Sequence, residues 1–230
     1  MLCEKSFTLN SKEAKELIEL AKAKNLLLAE GIWTRYMPYI SMVKELIEQG
    51  FIGELVSIEA NLAYNVKDIY RIQSLELGGG ALLDVGVYTL NFALSFIQDE
   101  IKNIMATCKK IPSGVDESNG VILEFSKGTF AFLNSSVAMI NDRKGTINGT
   151  KGYIMWNPTL IELYDQDRKC IKSLVVPSQI NGFEYEFKAC FEALEQGKIE
   201  CDAMKHDEIL KVMSLMDELR KIMEVKFIGE

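Results

Sequence analysis

The sequence predicts an α+β fold, with a large, mostly antiparallel sheet carrying helices on one face. Two observations predict this fold. The middle of the chain is a run of short segments in which apolar and polar residues alternate, separated by turn signals. Helical periodicity is kept largely apart from this run. Before it, the first residues have the pattern of a strand end, a helix and a buried strand, which is typical of the closing piece of a parallel α/β sheet.

The first 32 residues form this predicted parallel unit. Asn10, followed three positions later by Glu13, has the pattern of a capping box at the start of a helix. The apolar residues 26–29 then suit a strand that is buried on both faces. A two-stranded fragment cannot bury its faces alone, so residues 1–30 require another surface to pack on.

The pattern changes at Trp33, where the second predicted unit, residues 33–230, begins. Pro38 suits the first turn of a helix that ends at Gly50, and a strand with one solvent-facing side follows at 56–62. Further helices are predicted at about 82–97, 183–195 and 207–223. The remaining predicted strands are 101–108, 121–125, 129–137, 146–147, 153–156, 161–164 and 171–176.

The charge balance bears on the kind of partner. With 33 acidic and 26 basic residues the formal charge is -7. Nucleic acid and anionic membranes both require a basic face, so neither is expected as a partner. The longest apolar stretch, 81–97, is interrupted by Asp84 and Asn91 and is too short and polar for a membrane span. The N-terminus lacks the pattern of a secretory signal, and a cytoplasmic location is expected.

The cysteine and histidine content gives no indication of a metal site. The single histidine, His206, stands beside Asp207 and is expected only to mark a helix start. The five cysteines are dispersed and odd in number, which predicts reduced thiols rather than a zinc site or a disulfide framework. They are Cys3, Cys108, Cys170, Cys190 and Cys201.

Three residues, Lys5, Asp84 and Tyr88, are candidates for catalysis. Moving a hydride from a secondary alcohol also requires removal of the hydroxyl proton, which suits a lysine of lowered pKa or a tyrosine beside a charged group. Asp84 and Tyr88 are four positions apart, so a helix places them on one face. The alternative is that Asp84 interacts with the helix dipole, Tyr88 fills core and Lys5 is a solvated surface lysine.

Glycines bear on the same candidate site in two ways. The triple glycine at 78–80 is either a flexible connection or a place where the backbone approaches a ligand closely. No Gly-x-Gly-x-x-Gly occurs anywhere in the sequence, although a dinucleotide site of this kind needs such a phosphate-binding loop.

Several stretches resemble the Gfo/Idh/MocA oxidoreductases, which include glucose–fructose oxidoreductase and inositol dehydrogenase, and in particular the dihydrodiol dehydrogenase-like branch. They occur in the family's usual order and reach from the first residues nearly to the last. The stretches are LCEK (2–5), EGIWTRYMP (30–38), IGE (52–54), GGGALLDVGVY (78–88), FEYE (183–186) and MSLMDELR (213–220).

The resemblance implies an NAD(P)-dependent dehydrogenase that exchanges a hydride with a hydroxylated, sugar-like or cyclic diol small molecule. It places Lys5 between the substrate hydroxyl and the nicotinamide, and makes Asp84 and Tyr88 the acid/base pair. Many sugar-acting members have histidine at the position of Tyr88. The family usually reads Glu-Lys-Pro, and Ser6 replaces this proline, so the backbone that aims Lys5 lacks a fixed dihedral.

The resemblance also implies cofactor contacts. Glu4, Lys5, Trp33 and Arg35 would lie near NAD or NADP; the alternatives are core packing for Trp33 and a salt bridge for Arg35. Members of the family open with a dinucleotide-binding Rossmann domain, and residues 1–32 are expected to be a remnant that contains its last helix and strand. A polypeptide of these 230 residues alone is therefore expected not to bind the dinucleotide with useful affinity.

Other interpretations stay open. The chain could be a non-catalytic binding or dimerisation module that kept the sheet, or a gene fragment whose missing part is encoded upstream or supplied by another polypeptide. An in-frame Gly-x-Gly-x-x-Gly in the upstream nucleotides would favour the enzyme. A homo-oligomer, with a dimer as the favoured form, is expected through the open face of the sheet formed after residue 100, because too few helices are predicted to cover both faces.

Overall fold

The computed structural model describes residues 1–228 and begins with a small parallel sheet. Strand β1 (Leu2–Glu4) pairs in parallel with β2 (Ala29–Gly31), and helix α1 (Ser11–Lys24) connects them. The predicted strand–helix–strand order is confirmed. The second strand starts later than the predicted residue 26, because Leu26 is 59% exposed at the end of the helix connection.

Helix α1 begins after the predicted N-cap residue, Asn10, but the capping box is incomplete because Glu13 contacts the amide of Leu9 and not that of Asn10. The Asn10 side chain accepts a hydrogen bond from the Glu13 amide (3.0 Å), and the Glu13 carboxylate accepts one from the Leu9 amide (3.1 Å). The buried side of α1 packs against the C-terminal helix α6 (His206–Ile222), whose Asp217 carboxylate accepts a hydrogen bond from the Ser11 amide (2.8 Å). The C-terminal helix therefore supplies a packing surface for the N-terminal unit.

The second sheet has eight strands in the order β10-β9-β8-β7-β3-β6-β5-β4. All neighbouring pairs are antiparallel except β3 with β6, which are parallel, so the predicted mostly antiparallel sheet is confirmed. The strands are β3 (Leu55–Ala63), β4 (Ile101–Lys110), β5 (Asp116–Phe125), β6 (Phe130–Ser136), β7 (Gly145–Gly149), β8 (Gly152–Asn157), β9 (Leu160–Asp165) and β10 (Cys170–Val175).

The remaining helices are α2 (Pro38–Glu48), the four-residue α3 (Tyr70–Gln73), α4 (Val87–Phe96) and α5 (Phe183–Glu195). The sequence did not predict α3. The helix predicted at 82–97 is in two parts, a π-helical turn at Leu82–Gly86 followed by α4. Within residues 1–228, no helix combines the length and the apolar character that crossing a membrane requires.

The two faces of the large sheet differ. Helix α4 packs on β3 and β6, α6 packs on β4, and the strand residues on this side, such as Leu123 and Leu133, are buried. On the opposite face Met105 is 53% exposed and Phe132 is 42% exposed. The core therefore lies between the sheet and its helices, and one sheet face presents apolar side chains to solvent.

Glu30 makes the stability of this fold depend on pH. Its carboxyl lies in β2 at 1% exposure, and burial raises its pKa from 4.5 to about 8, against the opposing charges of Arg35 and Lys5. The folded state therefore favours the protonated acid, and its stability falls as pH rises from 4.5 to about 8.

We expect Glu30→Gln to remove this part of the pH dependence, since glutamine has a similar shape and does not titrate. Thermal unfolding at pH 5 and at pH 8 measures it: the unfolding temperature of the variant should fall less between these pH values than that of the wild type. Glu48→Gln on the exposed side of α2 is the control. An unchanged pH dependence in the Glu30 variant would contradict the assignment.

Candidate active site

Lys5 follows the C-terminal end of β1 and is held by the segment that starts the α4 helix. Its Nζ donates a hydrogen bond to the Asp84 carbonyl oxygen (2.6 Å) and lies 3.5 Å from the Asp84 carboxylate. The next residue, Ser6, donates a hydrogen bond from its hydroxyl to the Leu83 carbonyl oxygen. The Lys5–Ser6 peptide bond is cis. Ser6, which stands where the family usually has proline, thus adds a side-chain hydrogen bond between the segment after β1 and the start of the helix.

The triple glycine brings two stretches of backbone together. The Gly79 amide donates to the Ser74 carbonyl (2.8 Å), and the Gly80 amide donates to the Ile72 carbonyl (2.9 Å). A Cβ at Gly79 would lie 2.6 Å from the Arg71 carbonyl oxygen and closer still to that of Ile72. The backbone of the motif thus packs closely against the α3 backbone of the protein itself, which neither interpretation of the motif predicted, and approach to a ligand stays a prediction.

Asp116 fixes the start of the helix from the sheet side. Its buried carboxylate accepts hydrogen bonds from the Leu82 amide (2.8 Å) and the Asn119 side chain (2.8 Å). Burial raises its pKa to about 6, although both hydrogen bonds act in the opposite direction. Gly80, with φ of 107°, leaves the space that this carboxylate fills. No local sequence pattern indicates this role, because Asp116 lies in β5, 34 residues along the chain from Leu82.

The side chains of Asp84 and Tyr88 project from the same side of the helix, as their spacing predicts, but the helix is not a regular α-helix at Asp84. Asp84 lies in the π-helical turn and Tyr88 lies in the first turn of α4. Such turns are rare and are frequent at functional sites. Both side chains line one cavity with Lys5, so the convergence expected of the three candidate catalytic residues is seen.

Arg71 of α3 is a member of this cluster that the sequence did not single out. Its guanidinium lies 2.6 Å from the Asp84 carboxylate, on the same oxygen that Lys5 approaches. Asp84 therefore carries two cationic partners from different elements. In the sequence, Arg71 is marked only by its position shortly before the triple glycine. The spacing of 13 residues between Arg71 and Asp84 does not by itself indicate that the two side chains meet.

Tyr88 stands between a cation and an aromatic ring. The Lys5 Nζ lies 5.2 Å from the centre of the Tyr88 ring, and the Trp33 ring meets it edge-on at 6.4 Å. Burial raises the pKa of Tyr88 well above its ordinary value, and the charges of Glu4 and Asp84 act in the same direction, while a hydrogen-bonding interaction with the Trp33 side chain lowers it. The residue is thus a protonated phenol at neutral pH.

The cavity around these groups has a volume of about 490 Å³. One wall is aromatic: the Trp156 ring lies 4.5 Å from the Tyr39 ring and 5.4 Å from the Phe92 ring, between centres. None of these three residues belongs to a sequence motif that indicated the site. Other lining residues outside such motifs are Asn61, Tyr64, Arg143 and Lys144.

The residues expected to contact the cofactor lie in different parts of the structure. Glu4 is exposed and lines a second hollow of about 400 Å³, which also includes Lys5 and Asp84. Trp33 lines the main cavity, with its ring 6.1 Å from that of Phe183. Trp33 also packs against Tyr88. It therefore makes packing contacts with neighbouring aromatic rings and lines the site as well.

Arg35 does not line this cavity. It is buried, donates a hydrogen bond to the Ser95 hydroxyl (2.7 Å) and forms an ion pair with Glu208 at the start of α6. The salt-bridge alternative for Arg35 is therefore the one seen. Its guanidinium connects α4 to α6, and a cofactor contact at Arg35 stays a prediction.

A lysine, a carboxylate and a protonated tyrosine around one hydrophobic cavity are suited to proton exchange at an alcohol or carbonyl oxygen, which is the chemistry of an oxidoreductase site. Comparison with known proteins agrees with this class. Residues 40–155 match the model of the GFO/IDH/MocA C-terminal domain. The trans-1,2-dihydrobenzene-1,2-diol dehydrogenase of Xenopus tropicalis is 32% identical over 95% of this chain and 69% of that protein. The chain belongs to the GFO/IDH/MocA oxidoreductase family.

Other relatives extend the comparison. The D-xylose 1-dehydrogenase (NADP(+)) of Hypocrea jecorina is 30% identical over 95% of this chain and 65% of that protein. Among solved structures, a 3-ketoreductase from Actinomadura kijaniata in complex with NADP and TDP-benzene has a TM-score of 0.85 and 24% identity. It covers 96% of this chain, and the match spans 70% of that chain. This likeness confirms the α+β fold.

The triple glycine provides a direct test of how the site is built. We expect Gly79→Ala to destabilise the protein by about 1–3 kcal/mol, because the added methyl group would meet carbonyl oxygens of α3 that cannot move independently. The Arg71–Asp84 contact should be disturbed at the same time. Denaturant unfolding measures the change in the free energy of unfolding.

Gly120→Ala in β5 is the matched control. Among the described residues, a Cβ at Gly120 would meet nothing within 4 Å apart from its neighbours in the chain. Equal stability of the two variants would show that the glycines at 78–80 serve only as a flexible connection.

Proposed function

We propose that this protein is an NAD(P)-dependent dehydrogenase that exchanges a hydride with a hydroxylated small molecule of the sugar-like or cyclic diol class. The observation that carries the proposal is the convergence of Lys5, Asp84 and Tyr88 on one cavity. Membership of the family supports it, as do relatives whose names describe dehydrogenation of a cyclic diol and of a sugar. The aromatic wall suits the apolar faces of such molecules.

The residues present fit the nicotinamide end of the cofactor. Glu4 and Lys5 end a parallel strand, and ligands of parallel α/β sheets bind beyond the carboxyl ends of the strands. Lys5 and Asp84 line both the main cavity and the second hollow beside Glu4, so a substrate and a cofactor can each reach them. When bound, NAD or NADP supplies the hydride acceptor or donor. We propose Glu4, Lys5 and Trp33 as the contacts of its reactive end.

Lys5 is suited to bind the substrate oxygen. Its ammonium group has three N–H donors, and the carbonyl and carboxylate oxygens of Asp84 occupy at most two. The remaining donor can hold an alcohol or carbonyl oxygen and stabilise negative charge that develops there. Asp84 acts here through its position: with Arg71 on its carboxylate, it orients Lys5 and balances its charge.

Tyr88 is suited to move the proton. Because burial keeps the phenol protonated, it can donate its proton to a substrate oxygen during reduction of a carbonyl. Oxidation requires the reverse transfer, from the substrate hydroxyl to the phenolate, and the phenol must first lose its proton; because its pKa is raised, alkaline pH favours this direction. The partly enclosed cavity keeps competing water away from this exchange.

Enzyme assays on the complete protein that carries these residues test the proposal. We expect oxidation of trans-1,2-dihydrobenzene-1,2-diol or D-xylose with NAD or NADP, followed by the appearance of the reduced dinucleotide. Lys5→Met and Tyr88→Phe should each lower kcat by roughly 10²–10⁴, which is the usual contribution of a positioned proton-transfer group. Lys12→Met on the exposed side of α1 is the control.

A protein that binds these molecules without turnover would favour the non-catalytic module. Full activity in both the Lys5 and Tyr88 variants would also overturn the assignment of the site, because another set of residues would then carry the chemistry.

We also propose a homodimer, formed through the outer face of the large sheet, in a cytoplasmic protein. Phe130 and Phe132 stack on this face with 6.0 Å between ring centres, and Met105 lines a shallow hollow of about 490 Å³ beside Phe132. Burial of such apolar surface favours association at about 25 cal/mol per Å² before association costs. The five free thiols support a reducing compartment.

Light scattering measures the oligomeric state. We expect a dimer for the wild type and a monomer for Phe132→Asp, because a carboxylate would be buried without a partner in the interface. Phe191→Asp is the matched control, since Phe191 is an exposed aromatic residue on α5 and does not belong to a strand of this sheet. A monomeric wild type at micromolar concentration, or a dimer that persists in Phe132→Asp, would contradict the proposal.

A further inference from the structure

The cavity has the opposite charge from the protein around it. Four cationic side chains line it, and Asp84 is the carboxylate among the lining residues; the cations are Lys5, Arg71, Arg143 and Lys144. The chain as a whole has a formal charge of -7. A cationic cavity in an acidic protein attracts anionic ligands, since the partly enclosed walls concentrate the local field.

Arg143 differs from the other three cations of the cavity, because each of those lies within 4 Å of a carboxylate oxygen in the described part of the chain. Lys5 and Arg71 both pair with Asp84, and Lys144 lies 3.2 Å from the Asp142 carboxylate. Among the ion pairs of residues 1–228, none includes Arg143. A half-buried guanidinium without a carboxylate is suited to bind one from a ligand, or a phosphate, through two parallel hydrogen bonds.

The surroundings of Arg143 hold it in place. Its guanidinium carbon lies 4.1 Å from the centre of the Tyr64 ring, which also lines the cavity. Its backbone has φ of 52°, a conformation that costs energy in a residue other than glycine, and its amide donates to the Asn141 side chain (3.2 Å). Stacking on an aromatic face leaves the edge of the guanidinium, with its N–H donors, available to a ligand.

Arg143 and the catalytic residues come from separate parts of the fold. Arg143 lies in the connection between β6 and β7, whereas Lys5 follows β1 and Tyr88 lies in α4. The cavity that they share has a volume of about 490 Å³, which is within the range for a small-molecule site. One ligand can therefore place a hydroxylated carbon at Lys5 and Tyr88 and a charged group at Arg143.

We propose that the substrate is a polyhydroxylated molecule that carries an anionic oxo-acid group, a carboxylate or a phosphate, and that Arg143 binds this group. The inference rests on the proposed function, whose site it uses, and narrows its substrate class from neutral diols and sugars to acidic ones. Arg143 thus determines specificity and takes no part in proton transfer.

Calorimetric titration of the protein with three probes tests the proposal without any catalytic step. The probes are D-glucose, D-glucuronate and D-glucose 6-phosphate, which share a ring and differ in the charged group. We expect at least one anionic probe to bind about 10-fold more tightly than glucose, a difference of about 1.4 kcal/mol. The tighter of the two anionic probes identifies the carboxylate or the phosphate as the group recognised.

Variants assign the preference to Arg143. Arg143→Gln should reduce the affinity for the preferred anionic probe to that for glucose, while the affinity for glucose stays unchanged. Arg143→Lys keeps the charge without the planar fork and should retain part of the preference. Arg168→Gln is the matched control, since Arg168 also has a positive φ (61°) and lies in the exposed turn between β9 and β10.

Equal binding of all three probes, binding of none, or a preference that persists in Arg143→Gln would each overturn the proposal. The titration contains no dinucleotide, so its result is independent of hydride transfer. Activity on neutral diols alone would support the proposed function and contradict this inference. Tighter binding of anions without turnover would support this inference and contradict the proposed function.

Discussion

The contact between Lys5 and Asp84 is the interaction on which the site depends. It joins the parts of the fold that carry the two sheets, because Lys5 follows a strand of the small parallel sheet and Asp84 lies at the start of the helix that packs on the large sheet. The two residues are 79 positions apart. The lysine follows a short strand, and the carboxylate lies in an irregular helical turn, where Arg71 also contacts it.

Several neighbouring residues position Asp84 for this contact. Gly79 and Gly80 allow the α3 backbone to approach the helix start, and this brings Arg71 to the Asp84 carboxylate oxygen that Lys5 also approaches. Asp116 holds the first amide of the π-helical turn from the sheet. Burying charged and polar groups in this way costs free energy, which the hydrophobic core must offset. The raised pKa values of Asp116 and Glu30 are the measurable sign of that cost.

The sequence predicted the fold well where the information is local. The alternation of apolar residues located the strands of the large sheet, and the Asn10–Glu13 pattern located the start of α1 to the residue. The order of the strands could not be derived in this way, since β3 pairs with β6 and β7, which lie far along the chain. The parallel pairing of β3 with β6 has no local signature.

The same limit applies to the site. Lys5, Asp84 and Tyr88 were found because their motifs resemble those of a family, and the spacing of Asp84 and Tyr88 carried a helical period. Arg71 and Arg143 have no such pattern, and the fold alone brings them to the cavity. Arg35 shows the opposite case: its motif placed it near a cofactor, but the packing of α4 against α6 pairs it with Glu208.

A double-mutant cycle on Lys5 and Tyr88 tests the central claim most directly. When two groups act as one unit on a single substrate oxygen, removal of either group abolishes most of the effect of both. Their contributions to kcat are therefore not additive. The kcat of the complete protein would be measured for Lys5→Met, Tyr88→Phe and the double variant. Our account predicts that the double variant is scarcely slower than the slower single variant. A double variant whose loss equals the product of the two single losses would contradict it, because the two residues would then act independently.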